Sequence, residues 1–193
     1  NKELTGLRVC MSSKDDVIIQ YIKALLGLKR KIRHDKEGES TLIVNSTILV
    51  KKLVELGMMP RKTYRDDPFP NVPDKWVPHF VRGNLDGDGT TNISRKDVIS
   101  VGFVGTPKFV TGIRDNLIRL VGMRSPAIVL GESETAKWAT VTWYAHRDVQ
   151  AFYEFTYPEG FEFCLERKQQ NLIDWLSKDR HDRGYYHRGK RKD

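Results

Sequence analysis

The sequence is poor in cysteine. Cys10 and Cys164 are its only two, too few and too dispersed for a disulfide scaffold or a zinc cage, which points to a reducing compartment. Long hydrophobic runs are also missing. No apolar stretch approaches a membrane span and no signal peptide opens the chain, so the expectation is a soluble, non-secreted protein of the cytoplasm or an organellar or host nucleoid, with no membrane partner. The first residue is Asn rather than Met, so the sequence reads as an ordered fragment of something longer. Nothing resembles a phosphate-binding P-loop. His34, His79, His146, His181 and His187 show no helical metal-ligand spacing. What the chain does carry is positive charge: a formal net charge of +8 and a pI near 9.5 over 193 residues. That balance suits a polyanionic partner, nucleic acid foremost. The length allows one domain or two small pseudo-symmetric halves.

The most informative stretch runs from His79 to Thr91. Trp76, Phe80, Gly83 and Gly87 recur at four, three and four residues and so share one helical face. The end of that face is bare glycine, against which a partner helix can pack almost backbone to backbone. Pro78 suits the first turn, leaving about eleven residues or ~16 Å of helix. Asp86 and Asp88 then stand at the helix end that already carries partial negative charge, and no Lys or Arg lies between Asn84 and Ile93 to offset them. Gly89 suits the left-handed residue that ends a helix. Such a negative pocket invites a divalent metal with oxygen ligands.

A calcium loop is one alternative, since Asp-Gly-Asp-Gly also opens such loops. Its register fails twice. Starting at Asn84 puts Arg95 at the twelfth position, where a bidentate carboxylate belongs; starting at Asp86 puts Thr91 at the sixth, where the turn wants glycine. A plain helix stop with two solvated aspartates is the other alternative.

Residues Val81 to Gly89 resemble the motif that names the LAGLIDADG homing endonucleases, with Gly83, Leu85, Asp86, Gly87, Asp88 and Gly89 in the expected places. Asn84 departs from it, standing where the motif usually has an apolar residue. The resemblance implies two such helices packed face to face through a seam that here would be Phe80, Gly83 and Gly87. It makes Asp88 the catalytic acid and a metal ligand, with the carbonyl of Gly87 on the same ion. It implies magnesium, which manganese can replace, and a basic residue near each active site. The expected function is a site-specific, metal-dependent double-strand cut in DNA by a protein encoded in an intron, an intein or a phage genome. An RNA maturase or a non-cleaving DNA-binding regulator on the same fold is the alternative, against which the intact Asp88 counts.

Read in order, the chain predicts an α+β fold. Leu7, Val9 and Met11 alternate with polar residues as a strand, and a helix with Val17, Ile18, Tyr21, Ile22, Leu25 and Leu26 stops at Gly27. Strands over 29–34 and 41–45, a helix ending at Gly57 and a Pro-rich connector over 58–73 precede the motif helix. Strands near 90–94 and 98–104, a helix over 107–121, strands near 127–130 and 138–144, and helices near 147–155 and 163–176 follow it. Leu25-Leu-Gly27 recurs as Leu120-Val-Gly122, Val50 to Leu56 as Val149 to Phe155, and Pro60-Arg-Lys62 as Glu166-Arg-Lys168, at offsets of 95, 99 and 106. Growth in one direction is what insertions into the second of two copies would produce.

The expected organisation is therefore a first half-repeat over 1–66 without its motif helix, a second repeat over 67–177, and a basic, disordered tail over 178–193. Each half would follow an αββαββα-type order around a saddle-shaped antiparallel sheet. The first motif helix would precede residue 1, giving a monomer, or the chain would dimerise through its single one. The family's sheet sits on duplex DNA, and strand alternation offers Arg30, Arg33, Thr41, Ile43 and Asn45 in the first half and Trp138, Thr140, Thr142 and Tyr144 in the second. Parity alone leaves open whether Val141 and Trp143 or Thr140 and Thr142 face the core. The repeat points to Lys62 and Lys168 as the basic residues near the active sites, with catalytic roles in stabilising transition-state charge.

Overall fold

The structure is a computed structural model that describes residues 4–59, 66–133, 137–159 and 163–178. Its first half begins with β1 (Gly6–Ser12), where exposed Arg8, Cys10 and Ser12 alternate with half-buried Leu7, Val9 and Met11. A single 3-10 turn at Ser13–Asp15 leads into α1 (Asp16–Leu25), followed by β2 (Arg33–His34), β3 (Glu39–Asn45) and α2 (Thr47–Glu55). Ser46 caps α2 by accepting a hydrogen bond from the backbone N–H of Leu49. The three strands form one antiparallel sheet in the order β1-β3-β2.

The second half begins with a 3-10 turn at Asp74–Trp76 and continues through α3 (Val77–Gly87), β4 (Thr90–Ile93), β5 (Ile99–Gly105), α4 (Pro107–Val121), β6 (Val129–Glu132), β7 (Lys137–Trp143), α5 (His146–Thr156) and α6 (Glu166–Leu176). Its antiparallel sheet runs β4-β5-β7-β6. The triplet β5-β7-β6 repeats β1-β3-β2, each first strand being followed by a helix and each set closed by another. The repeat seen in the sequence is thus a repeat of topology. α1 is followed by Gly27 at φ 61° and α4 by Gly122 at φ 73°, the left-handed position that only glycine takes at little cost. The third echo, at Pro60 to Lys62, lies outside the described residues.

Two expected strands shift. Only Arg33 and His34 of 29–34 pair with β3, because Lys29, Arg30 and Lys31 are consecutive exposed cations and Ile32 alone turns to the core. The strand expected at 127–130 is Val129–Glu132, an edge strand where Gly131 faces Trp138 across β7.

Each half has its own core. Val77, Val81 and Leu85 of α3 join Val101, Phe103, Val141, Trp143 and Phe152 in the larger one, which also takes in Leu172 and Trp175 of α6. The smaller is centred on Ile19, Leu42 and Val44. Residues 66–73 bridge the halves: Phe69 packs on Phe80 and Phe109, the Lys108 N–H donates to Asp66 at 2.9 Å, and the Asn71 N–H donates to the Leu56 carbonyl at 3.2 Å. The halves meet where Arg167 donates twice to the Asp15 carboxylate, at 3.0 and 2.7 Å, and where the rings of Tyr21 and Phe163 stack. No helix among the described residues is long and apolar enough to cross a membrane.

Candidate active site

α3 has two unlike faces. Val77, Val81 and Leu85 recur every four residues and are fully buried, with Arg82 and Asp86 buried beside them. Trp76, Gly83 and Gly87 are exposed on the other side. A Cβ added at Gly83 or Gly87 would meet nothing within 4 Å, so the glycine face is open in this chain. Phe80 is different: it is half-buried, with its ring edge-on to Phe69 at 5.0 Å and to Phe109 at 6.3 Å. Of the three expected seam residues, two are free for a partner and one is already packed.

The helix ends in a way local sequence does not suggest. Gly89 is not left-handed, contrary to the expectation above; a Cβ there would lie 2.7 Å from Leu85 Cα, so glycine is needed for close packing rather than for φ. The cation missing between Asn84 and Ile93 arrives from α6. Lys168 is buried, and its Nζ donates to the carbonyls of Leu85 at 2.6 Å, Asp86 at 2.9 Å and Gly89 at 2.7 Å. That uses all three ammonium hydrogens on the helix's negative end. Burial, then Arg167 beside it, pulls the Lys168 ammonium below its ordinary value, while Asp86, Asp15 and Asp88 oppose the shift.

The motif's two acids diverge. Asp86 points inward and is pushed up to about 6 by burial, opposed by a hydrogen bond from the Leu165 backbone and by Lys168, Arg82 and Arg167. Arg82 in turn donates to the Thr156 carbonyl and to Nδ1 of His79. Asp88 follows the last helical residue, at φ −116°, and is exposed. Asp88 thus stands at the open tip while Asp86, two residues back, is enclosed in the interior.

No group of three or more His, Cys, Asp or Glu among the described residues could hold a metal ion. A cation at this tip would need oxygen ligands from elsewhere besides Asp88. The tip's donor set suits such an ion: Lys168 binds the carbonyls on both sides of Gly87 and leaves that of Gly87 outside its set, next to the exposed Asp88. Both are hard oxygens. The calcium-loop alternative does not survive, because Asn84 to Gly87 are helical and Thr90 to Ile93 form a strand, leaving no twelve-residue loop.

The sheets settle the parity question. Ala139, Val141 and Trp143 are buried, while Trp138 and Tyr144 are exposed and Thr140 and Thr142 half-buried on the opposite face. Trp138 partly serves the sheet itself, since its indole covers the space over Gly131 on the edge strand. In the first half Leu42 and Val44 are buried; Arg30, Arg33 and Asn45 are exposed and Ile43 is half-buried. Thr41 shares the face of Ile43 but is buried, its hydroxyl donating to Glu39 and lying 3.6 Å from the Cys10 sulfur. Arg8, opposite Ile43 on β1, belongs with this group and was missed, although the alternation of β1 carried the signal. Lys62 and the tail from 179 onward lie outside the described residues.

Several solved structures share this architecture. A LAGLIDADG meganuclease, I-AabMI, solved bound to uncleaved DNA, is 15% identical with a TM-score of 0.56, the match covering 89% of this chain and 79% of that one. The I-LtrWI LAGLIDADG homing endonuclease bound to target DNA is 12% identical at a TM-score of 0.54, over 89% and 77% of the two chains. I-SmaMI bound to an uncleaved DNA target in the presence of calcium ions is 14% identical at 0.55, over 88% and 78%. No family model and no curated protein matches the sequence. The chain has the LAGLIDADG endonuclease fold.

Proposed function

We propose that this chain binds duplex DNA across its two sheets and cuts it at a specific site by metal-dependent phosphodiester hydrolysis. The observation that carries the reading is the divergence of the motif's two acids: Asp86 is buried, and Asp88 is projected into the open beside a bare glycine face. Lys168 compensates the helix end from within, and the exposed carboxylate of Asp88 is left as a hard oxygen ligand for a cation arriving from outside. The fold shared with nucleases solved on DNA, one of them with calcium, supports a divalent ion in that role. Magnesium suits the carboxylate and carbonyl oxygens offered by Asp88 and Gly87, and manganese can stand in. Such an ion, when bound, acidifies a water and offsets charge developing on the scissile phosphate.

The protein's own part is positioning. Lys168 holds the carbonyls of Leu85, Asp86 and Gly89 on either side of the end of α3, and with them the direction in which Asp88 points. In this arrangement it is a positioning residue with no donor left for a phosphate. Its charge still lies behind the tip, where it attracts any anion bound there. The open face of Gly83 and Gly87 takes a second motif helix, from a segment upstream of Asn1 or from a second copy of the chain.

The test is Asp88→Asn. The variant should lose magnesium-dependent cleavage of a selected duplex while retaining its affinity for it and its unfolding midpoint. Undiminished cutting would sink the mechanism, and binding without cutting by the unsubstituted chain would favour a non-cleaving regulator.

A further inference from the structure

The two sheets present different chemistry on their open faces. On the first, Arg8 stands directly across from Ile43, and Arg33 directly across from Thr41, so two guanidiniums flank the central strand from opposite edges on one face. Both are exposed, and neither has an ion-pair partner among the described residues. Glu39 and Asn45 complete that face along β3. On the second sheet every open-face strand position is uncharged. Thr90, Gly102 and Thr142 form one row across it, and Val104, Thr140 and Val129 form the next. The floor between Thr90 and Thr142 is Gly102, where even a Cβ would lie 2.8 Å from the Thr90 hydroxyl.

These faces recognise different bases. A guanidinium pairs in two-pronged fashion with O6 and N7 of guanine, and a carboxylate accepts from N4 of the paired cytosine. Threonine and valine methyls pack on the C5 methyl of thymine, and a threonine hydroxyl bonds to either edge. We infer that the target is asymmetric in base class: the half-site under the first sheet is read at guanine by Arg8 and Arg33, and the half-site under the second is read at thymine methyls by Val104, Thr140 and Thr142. The inference rests on the proposed function, because it requires that the sheets lie on DNA, and it goes beyond it in stating what each half reads. Asn45 at the outer end of β3 adds an adenine-compatible position to the first half-site without changing its dependence on guanine.

The experiment begins by selecting a duplex for the full chain from a random-sequence pool. Atoms are then removed from the selected duplex one half at a time: 7-deazaguanine deletes N7, and deoxyuridine in place of thymidine deletes the C5 methyl. Deazaguanine should weaken binding about tenfold in one half-site only, and deoxyuridine should do so by a smaller factor in the other. In the R8A/R33A double variant the deazaguanine penalty should vanish while the deoxyuridine penalty stays. Both arginines are exposed, and an unchanged melting curve confirms that the variant folds. Equal sensitivity of both half-sites to each substitution, or a deazaguanine penalty that persists in the variant, overturns the inference and leaves the proposed function standing. Failure to select any duplex overturns both.

Discussion

The two halves use one sheet order and arrive at very different interiors. In the second, α3 inserts Val77, Val81 and Leu85 against the sheet, and a core containing Phe103, Trp143, Phe152 and Trp175 closes around them. In the first, with no such helix among the described residues, the buried core is centred on Ile19, Leu42 and Val44, while Val17, Leu25 and Ile48 remain 60%, 68% and 85% exposed. The difference teaches what the motif helix does besides carry an acid. A sheet buries its apolar face only where a second layer covers it. One side of α3 supplies that layer, and the other side and its tip are left for partner and substrate.

The largest effects should come from attacking each interior separately. Phe152→Ala should cost about 3–5 kcal/mol and Leu42→Ala about 2–5 kcal/mol, read by urea unfolding. Hydrogen exchange decides whether the halves are separate units. In Leu42→Ala the amides of β1 and β3 should exchange faster while those of β5 and β7 keep their protection; parallel loss in both sheets would make the molecule one cooperative unit and break the comparison.

Next comes the device that only the second half displays. Lys168→Met keeps the aliphatic stem but leaves the carbonyls of Leu85, Asp86 and Gly89, at and just beyond the end of α3, without this donor, and should cost about 3 kcal/mol. It should also reduce cleavage more than DNA affinity, since what it releases is the direction of Asp88. Equal loss of both would mean that Lys168 only holds the fold.

A somewhat smaller effect concerns Asp86. Its value in the folded protein, about 6, lies above the ordinary 3.8, so the folded state holds its proton more tightly than the unfolded one. Stability should therefore fall as pH rises from about 4 to 6 and then level off, by roughly 2–3 kcal/mol for this group alone. Asp86→Asn should flatten that slope, as measured by unfolding midpoints across the window.

The smallest expected effect lies at the joint. The Arg167 guanidinium beside Asp15 holds that carboxyl below its ordinary 3.8, mainly through their hydrogen bonds. The stabilisation is present above 3.8 and is lost as pH falls through the lowered value. With Arg167 59% exposed, it should amount to less than about 1 kcal/mol. Asp15→Asn should remove this acid limb and leave the pH 4–6 slope of Asp86 in place.

What could be read in advance divides along physical lines. Period and punctuation are local, so α4 is found over the expected 107–121, the stops at Gly27 and Gly122 hold, and the alternation of β7 is correct. Where the local signal was weak, at the charged run 29–31 and the edge strand β6, the boundaries moved. Thr41 shows a finer failure: it has the parity of an open-face residue, yet its neighbours Cys10 and Glu39 cover it.

By itself the sequence determined the elements, their repeat, and the presence of two acids and a glycine stripe at the end of one helix, because each of these depends on spacing within a few residues. Only the tertiary structure decided that Asp86 faces in and Asp88 out, that Gly89 serves close packing, and that Lys168 from a distant helix neutralises the tip. The reason is that burial and hydrogen-bond partners are properties of the space around a side chain, and that space is built by elements far along the chain.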